Sequence, residues 1–498
     1  MRPIRRCAVI GAGVIGGGWA ARFALNGLDV AVHDPHPETE QRVRTTLANA
    51  SRALSRLTLA PLPQPGELLF AATLAEAVRD AEFVQENAPE REELKRELLR
   101  EIDAAAPASA LIASSTSGLL PSRLQSSMRH PGRFLVGHPF NPVYLLPLVE
   151  LSGGDATDSA SIDAARDFYA SLGMRPLQIR KEIDGFVADR LLEALWREAL
   201  WLVHDDVASV EEIDDAIRYG AGLRWAFMGT FLTYRLAGGE EGMRHFMAQF
   251  GPTLKLPWTK LTDVPELSEA FIDKIAAQSD RQAAGRSLGE LERKRDDCLV
   301  AIMQALRTHE FASGATLAGY EERLHARAMH DAAATPRPDI RLPLELHRGS
   351  VLPDWIDYNG HMTESRYLQV FGDASDALFR FLGIDSSYRA ESGSYYTVET
   401  HISHLREIAS LEAFYVTTQI LDTDQKRIHL FHRLHHGRER TLLATAEQML
   451  VHVDAGNGRA VPARADLLAR LLELREAQAG LPKPEQAGRS IGEKPKRG

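Results

Sequence analysis

His138 and Glu150 are the side chains whose types and spacing most directly promise chemistry. His138 heads the segment His138-Pro-Phe-Asn141-Pro, and Glu150 follows twelve residues later in Leu148-Val149-Glu150-Leu151. Oxidation of a secondary alcohol needs a base to take the hydroxyl proton while hydride leaves the carbinol carbon. A near-neutral imidazole can take that proton, and a carboxylate can orient the ring and stabilise its charged form. A second pattern opens the chain as Gly11-Ala-Gly13-Val14-Ile15-Gly16. Its first glycine permits a tight turn, its second admits a diphosphate to the backbone, and its third lets helix and strand pack closely. Asp34 lies 18 residues beyond Gly16 and is followed by Pro-His-Pro. A carboxylate there accepts hydrogen bonds from ribose hydroxyls and repels a 2′-phosphate, so NAD is expected rather than NADP.

These groups need a scaffold to hold them. Ile4–Ile10 reads as a strand, Val14–Asn26 as a helix and Asp29–His33 as a second strand, which is one βαβ unit. Apolar runs at Phe83–Gln85, Leu111–Ser114 and Phe134–Gly137, separated by helical patterns such as Arg91–Ala105, extend this into a doubly wound parallel sheet over 1–180. His138 then falls at the carboxyl end of a strand, where such sheets bind ligands. Long helices containing Trp196, Trp201, Trp225 and Phe227 follow over 181–330. Residues 331–343, rich in Ala and Pro, read as a linker. Over 344–480, one helix, Glu364–Leu382, and alternating runs at Tyr395–His401, Phe414–Leu421, Arg427–His435 and Leu442–Val453 predict an α+β unit. The polar residues 481–498 read as a disordered tail.

Composition narrows the partners. With 44% hydrophobic and 25% charged residues among 498, the chain is of the globular class. Its net charge of −10 argues against nucleic acid or an anionic membrane as the main partner, and no apolar run is long enough to span a bilayer. Met1–Arg6 and Cys7–Ala21 imitate a signal peptide, but glycines at 11, 13, 16, 17 and 18 suit the nucleotide turn instead. Two cysteines, Cys7 and Cys298, fit a reducing compartment, and the cytoplasm is expected. His429 and His435 point to one strand face, His432 and His436 to the other, so no metal is expected.

The ordered set of the opening fingerprint, Ser114-Ser-Thr-Ser117-Gly-Leu, His138-Pro-Phe-Asn141-Pro with Glu150, Gly185-Phe-Val-Ala-Asp-Arg190 and Ile217–Gly222 resembles the 3-hydroxyacyl-CoA dehydrogenase family over about 1–320. The resemblance implies a Rossmann domain followed by an all-α domain. It makes His138 the base and Glu150 its partner, with Ser117 contacting the substrate hydroxyl and Asn141 positioning it. It places Glu90 and Lys95 beside the nicotinamide-side ribose. The family normally carries Asn where this chain has Asp189, and Leu223-Arg224-Trp225-Ala-Phe227 departs from its usual segment toward the branch acting on small free acids. A substrate with a carboxylate and a cation, such as carnitine, suits both changes. Arg224 would meet the carboxylate, while Asp189 with Trp225 and Phe227 would meet a quaternary ammonium. A sugar acid such as L-gulonate or a short 3-hydroxyacyl-CoA is the alternative.

Asp357-Tyr-Asn-Gly-His361-Met before the Glu364 helix resembles hot-dog-fold acyl-CoA thioesterases of the 4-hydroxybenzoyl-CoA type over about 344–455. That resemblance makes Asp357 the nucleophile or general base for an acyl-CoA thioester and implies a homodimer, and a dehydrogenase joined to a thioesterase suggests successive steps of one route, with betainyl-CoA as the expected thioester. A unit serving only for dimerisation is the alternative.

Overall fold

The structure is a computed structural model that describes residues 4–58, 60–237, 248, 266, 268–283, 285–334, 338–351, 355–409, 412–454 and 456–489. By internal contacts the chain divides into two compact units, Met1–Leu324 and His325–Gly498.

In the first unit β1 (Arg6–Ile10), α1 (Val14–Leu25) and β2 (Asp29–His33) form the opening βαβ unit. It continues through α2 (Thr39–Leu57), β3 (Leu68–Phe70), α3 (Leu74–Val78), β4 (Phe83–Glu86), α4 (Glu92–Ala105), β5 (Leu111–Ser114) and α5 (Pro121–Gln125). The sheet is completed by β6 (Phe134–Pro139), β7 (Leu148–Ser152), α6 (Ser159–Ser171) and β8 (Arg175–Gln178). The strand order is β3-β2-β1-β4-β5-β6-β7-β8. Every residue of β4, β5 and β6 is buried, as strands covered on both faces require. One face packs on Trp19, Phe23, Phe168 and Tyr169, with Phe83 and Phe168 ring centroids 4.3 Å apart.

The expected all-parallel sheet needs one correction: β6 and β7 pair antiparallel. A parallel crossover takes a dozen or more residues, and the connection spans only residues 140–147. The resulting register sets His138 directly opposite Glu150.

Helices follow: α7 (Ala188–His204), α8 (Val210–Ala216), a π-helical turn Ile217–Ala221, α9 (Gly222–Trp225), α10 (Thr230–Ala237), α11 (Glu269–Ala283), α12 (Leu288–Arg307) and α13 (Ser313–Ala334). Val300, Met303, Leu317 and Tyr320 pack into one cluster with Ala50, Leu54 and Leu57 of α2, which ties the last helices to the nucleotide-type domain. Helix α13 runs through Ala334, past the start of the expected linker, and residues 335–337 lie outside the described residues.

The second unit contains β9 (Leu344–Ser350), α14 (Glu364–Leu382), α15 (Ser386–Ser392), β10 (Ser394–His404), β11 (Ala413–Thr423), β12 (Arg427–His436), β13 (Leu442–Val453) and α16 (Ala465–Gln478). Its antiparallel sheet has the order β10-β13-β12-β11-β9. Along α14, Tyr367, Val370, Phe371, Ala374, Ser375, Leu378 and Leu382 recur at spacings of three or four and are buried, the stripe of a helix seated on a sheet. Part of the expected tail is ordered: Gln419 Nε2 donates to the Pro482 carbonyl at 3.5 Å, and Gly488 N–H donates to Glu447 Oε2 at 2.7 Å. Residues 490–498 lie outside the described residues.

Candidate active sites

The first site begins at the glycine turn. Gly11 has φ +83°, and a Cβ there would stand 2.8 Å from the Asn87 carbonyl. A Cβ on Gly16 would stand 1.8 Å from the Gly11 carbonyl oxygen. Only glycine fits either place. A Cβ on Gly13 would meet nothing within 4 Å, so that backbone faces open space. No acidic side chain sits in the first turn of α1, and Gly13 as its N-cap supplies no side-chain oxygen. The amides of Val14, Ile15 and Gly16 thus remain suited to an anion at the positive end of the helix. A groove of about 480 Å³ borders this turn, lined by Ala12, Gly13, Val14, Glu38 and Arg42 among others. Asp34 Oδ2 accepts the Ala12 N–H at 2.7 Å and Oδ1 the His36 N–H at 2.8 Å, which pins the carboxylate at the mouth of β2 beside the turn. These features fit a dinucleotide: turn and helix amides for the diphosphate, Asp34 for a ribose.

At the carboxyl end of β6, on the same edge of the sheet, His138 is 4% exposed and Glu150 fully buried. His138 Nδ1 lies 3.0 Å from Glu150 Oε2. The other oxygen, Oε1, accepts the Val187 N–H at 3.1 Å and the Ala188 N–H at 2.9 Å, at the amino end of α7. Burial alone would raise the Glu150 carboxyl, but these hydrogen bonds, led by that from His138, outweigh it and hold it below the usual range. A carboxylate can only accept, so Nδ1 carries the proton and Nε2 keeps its lone pair. Two rings frame the imidazole, Phe140 at 4.8 Å and Phe186 at 5.9 Å between centroids. Phe186 is fully buried with φ 45°, a left-handed conformation that bulky residues adopt at constrained sites.

Asp189 enters from the first turn of α7, its Oδ2 3.7 Å from His138 Nε2. That is too long for a direct hydrogen bond, so the lone pair stays available. Burial raises the Asp189 carboxyl; His138 opposes this, while Glu150, Glu193 and Glu90 add to it.

The remaining expected residues scatter by role. Ser117 and Asn141 are exposed. The Ser117 N–H donates to Glu90 Oε1 at 3.0 Å, and the Thr116 hydroxyl donates to the same oxygen. Lys95 is 1% exposed, its ammonium 2.9 Å from Glu86 Oε1, 2.8 Å from the Ala88 carbonyl and 3.6 Å from Glu90 Oε2. Of this pair only Glu90 reaches the surface. Arg224, Trp225 and Phe227 are exposed on and just after α9, and the described ring and charge contacts of His138 run to Glu150, Asp189, Phe140 and Phe186 instead. Phe186, Val187 and Ala188 lie in the Gly185–Arg190 motif, but that motif gave no role to the Phe186 ring or to the amides that reach Glu150, a contact made only by the tertiary fold.

In the second unit, the Asp357 N–H donates to the His361 carbonyl at 2.9 Å, and the Thr363 N–H to the Trp355 carbonyl at 2.8 Å. This loop sets the half-buried Asp357 beside the amino end of α14. Asp357 Oδ1 accepts the Asn359 N–H at 2.8 Å. His361 Nδ1 lies 3.2 Å from Glu407 Oε2, close enough for an ion pair though not aligned as a hydrogen bond. Burial, then Glu407 and Asp357, push the Tyr367 hydroxyl up to about 12. Glu407 was not singled out by the sequence; no local motif joins it to His361. Among the described residues, no three His, Cys, Asp or Glu side chains gather as a metal site.

Comparison with known proteins gives the geometry its family. The 3-hydroxyacyl-CoA dehydrogenase NAD binding domain matches residues 6–183, and the C-terminal domain of the same family matches 185–272. The thioesterase-like superfamily matches residues 351–471. An L-carnitine dehydrogenase/betainyl-CoA thioesterase from Rhizobium meliloti (strain 1021) is 54% identical over 498 residues, covering 99% of this chain and 100% of its own length. The chain belongs to the L-carnitine dehydrogenase/betainyl-CoA thioesterase family. It is a dehydrogenase with an NAD-binding domain joined to a thioesterase-like unit. An L-carnitine dehydrogenase of Pseudomonas putida (strain KT2440) is 57% identical over 311 residues, 62% of this chain but 97% of its own. Relatives of this family therefore also occur without the second unit. Among solved structures, the NAD+ dependent 5-formyl-3-hydroxy-2-methylpyridine 4-carboxylic acid 5-dehydrogenase superposes with a TM-score of 0.53 at 28% identity, covering 61% of this chain and 98% of its own.

Proposed function

We propose that the chain oxidises L-carnitine to 3-dehydrocarnitine with NAD through residues 1–330, and hydrolyses betainyl-CoA to glycine betaine and CoA through residues 344–480. The observation that carries the first activity is the His138–Glu150 contact, which leaves Nε2 as a base beside the carboxyl ends of the strands. His138 Nε2 takes the carbinol proton, and Glu150 holds the imidazole against rotation and steadies its charged form. NAD, when bound, supplies the acceptor for the hydride. Gly11, Gly13, Val14, Ile15 and Gly16 would hold its diphosphate and Asp34 a ribose. Glu90, which accepts the Ser117 N–H, would border the nicotinamide-side ribose, and Asn141 and Ser117 would position the substrate hydroxyl, as the family resemblance implies.

For the second activity, Asp357 either attacks the thioester carbonyl or deprotonates water, and the first-turn amides of α14 stabilise the developing oxyanion. The free edge strand β10 supports a homodimer paired edge to edge. Two unpaired cysteines, one buried and one exposed, suit a cytoplasmic setting. The test is direct. The full chain should reduce NAD with L-carnitine faster than with L-gulonate or 3-hydroxybutyryl-CoA, and should release free CoA from betainyl-CoA. A preference for either competing alcohol, or no release of CoA, would refute the corresponding half.

A further inference from the structure

Nε2 is the His138 nitrogen left to meet a substrate hydroxyl, because Nδ1 is engaged by Glu150 at 3.0 Å. The Asp189 carboxylate stands 3.7 Å from that same Nε2. A hydroxyl delivered to Nε2 therefore brings its neighbouring groups to Asp189. The titratable groups facing Asp189 are His138 on β6, Glu150 on β7, Glu90 after β4 and Glu193 on α7 itself, so carboxylates dominate this side of the imidazole.

Carnitine, the substrate read above, carries its hydroxyl on a central carbon between two arms of equal reach. One methylene ends in trimethylammonium and the other in carboxylate, each head two bonds of about 1.5 Å from the carbinol carbon. With the hydroxyl directed to Nε2 and the carbinol hydrogen to the cofactor, the two enantiomers differ in which arm points toward Asp189. The arms are close in length and opposite in charge, so length discriminates poorly and charge discriminates well. We infer that Asp189 selects the enantiomer, drawing the trimethylammonium arm to its side of His138 and turning the carboxylate arm away. The inference rests on carnitine as substrate and His138 as base. Its physical content is an attraction for one enantiomer and a repulsion for the other from a single side chain in a partly desolvated place. An amide of the same shape does neither.

The test compares kcat/KM for L- and D-carnitine in the full chain, wild type against Asp189→Asn, Asp189→Ser and Asp189→Glu. The ratio of L to D should fall by roughly ten- to a hundredfold in Asp189→Asn, the range that loss of one charged contact gives. Asp189→Ser, a second neutral variant, should fall alike, and Asp189→Glu should retain most of the ratio. A merely structural residue would lower both enantiomers together and leave the ratio in place. An L-selective wild type with equally L-selective neutral variants would overturn this inference alone. Oxidation of neither enantiomer by the wild type would overturn the substrate reading, and this inference with it.

Discussion

Ser375 on α14 and His432 on β12 share a 2.9 Å contact between Oγ and Nε2 in the interior of the second unit. Ser375 Oγ donates to Gln448 Oε1 at 2.9 Å, so it accepts from a protonated Nε2, and Nδ1 accepts from the Thr418 hydroxyl at 2.9 Å. All four residues are buried. The network accommodates a neutral ring, and burial pushes its pKa down to about 3; burial also takes the half-buried His347 of β9 down to about 4. In the unfolded chain both rings titrate near 6.5, so below that pH the unfolded state binds more protons. Their stabilisation is complete above about pH 6.5 and is lost as pH falls toward the folded values, at up to about 1.4 kcal/mol per pH unit for each ring. Between about pH 6.5 and 5 ordinary carboxylates contribute little, whereas Asp373, whose carboxyl burial pushes up to about 6, takes up its proton in the folded state and offsets part of the loss. Thermal melting of the full chain should therefore weaken across that window, the two rings outweighing Asp373, and a melting temperature that rises as the pH falls would contradict neutral buried rings.

Replacing His138 by Ala should lower carnitine oxidation by about two to four orders of magnitude while NAD still binds. Glu150→Gln is subtler. One amide oxygen cannot accept both from Nδ1 and from the Val187 and Ala188 N–H groups, so either one side is left facing donor to donor or the ring moves its proton to Nε2 and ceases to be a base. A buried unsatisfied group costs about 1–3 kcal/mol. Steady-state rates and melting curves should show loss of turnover together with loss of stability, and a fully active, fully stable Gln variant would contradict the two-sided role.

Asp34→Ala should weaken NAD binding by about tenfold, the worth of one charge-assisted hydrogen bond, and narrow the preference over NADP. The same change frees the Ala12 N–H that Asp34 holds at 2.7 Å. Titration of both cofactors by fluorescence checks this; a wild type that already prefers NADP would contradict the role given to the carboxylate.

Asp357→Asn in the full chain should abolish CoA release from betainyl-CoA and leave carnitine oxidation unchanged. The pairing of outcomes matters, because loss of both activities would point to a folding defect. Retained hydrolysis would move the reaction to another group, with His361 and Glu407, 3.2 Å apart, the next candidates.

Legibility in the sequence followed the range of the interactions. The glycine turn was readable because its φ of +83° at Gly11 and the closeness of Gly16 to the Gly11 oxygen are local, whereas the Asn87 carbonyl that also bars a side chain at Gly11 is brought there by the fold. The helix Glu364–Leu382 was readable to its ends, since its apolar stripe and Gly383, with φ +89°, mark them. The His138–Glu150 partnership was legible as a spacing, whereas the strand reversal that makes it a cross-strand pair lies in the shortness of the connection. Asp189 was noticed as a departure from its family, but its approach to Nε2 depends on how α7 leaves Gly185. The ordered part of the tail was missed for another reason: Pro, Gly and Lys content says nothing of the backbone partners that Gln419 and Glu447 provide.

The β6–β7 reversal has a consequence for descent. Base and partner sit on one hairpin, so they are inherited as a single cassette that no exchange of later segments can separate. The group facing the substrate's charge arrives from beyond Gly185, on a different stretch of chain. A lineage could thus trade its helical region for another and acquire a new alcohol while the proton-transfer pair passed through untouched.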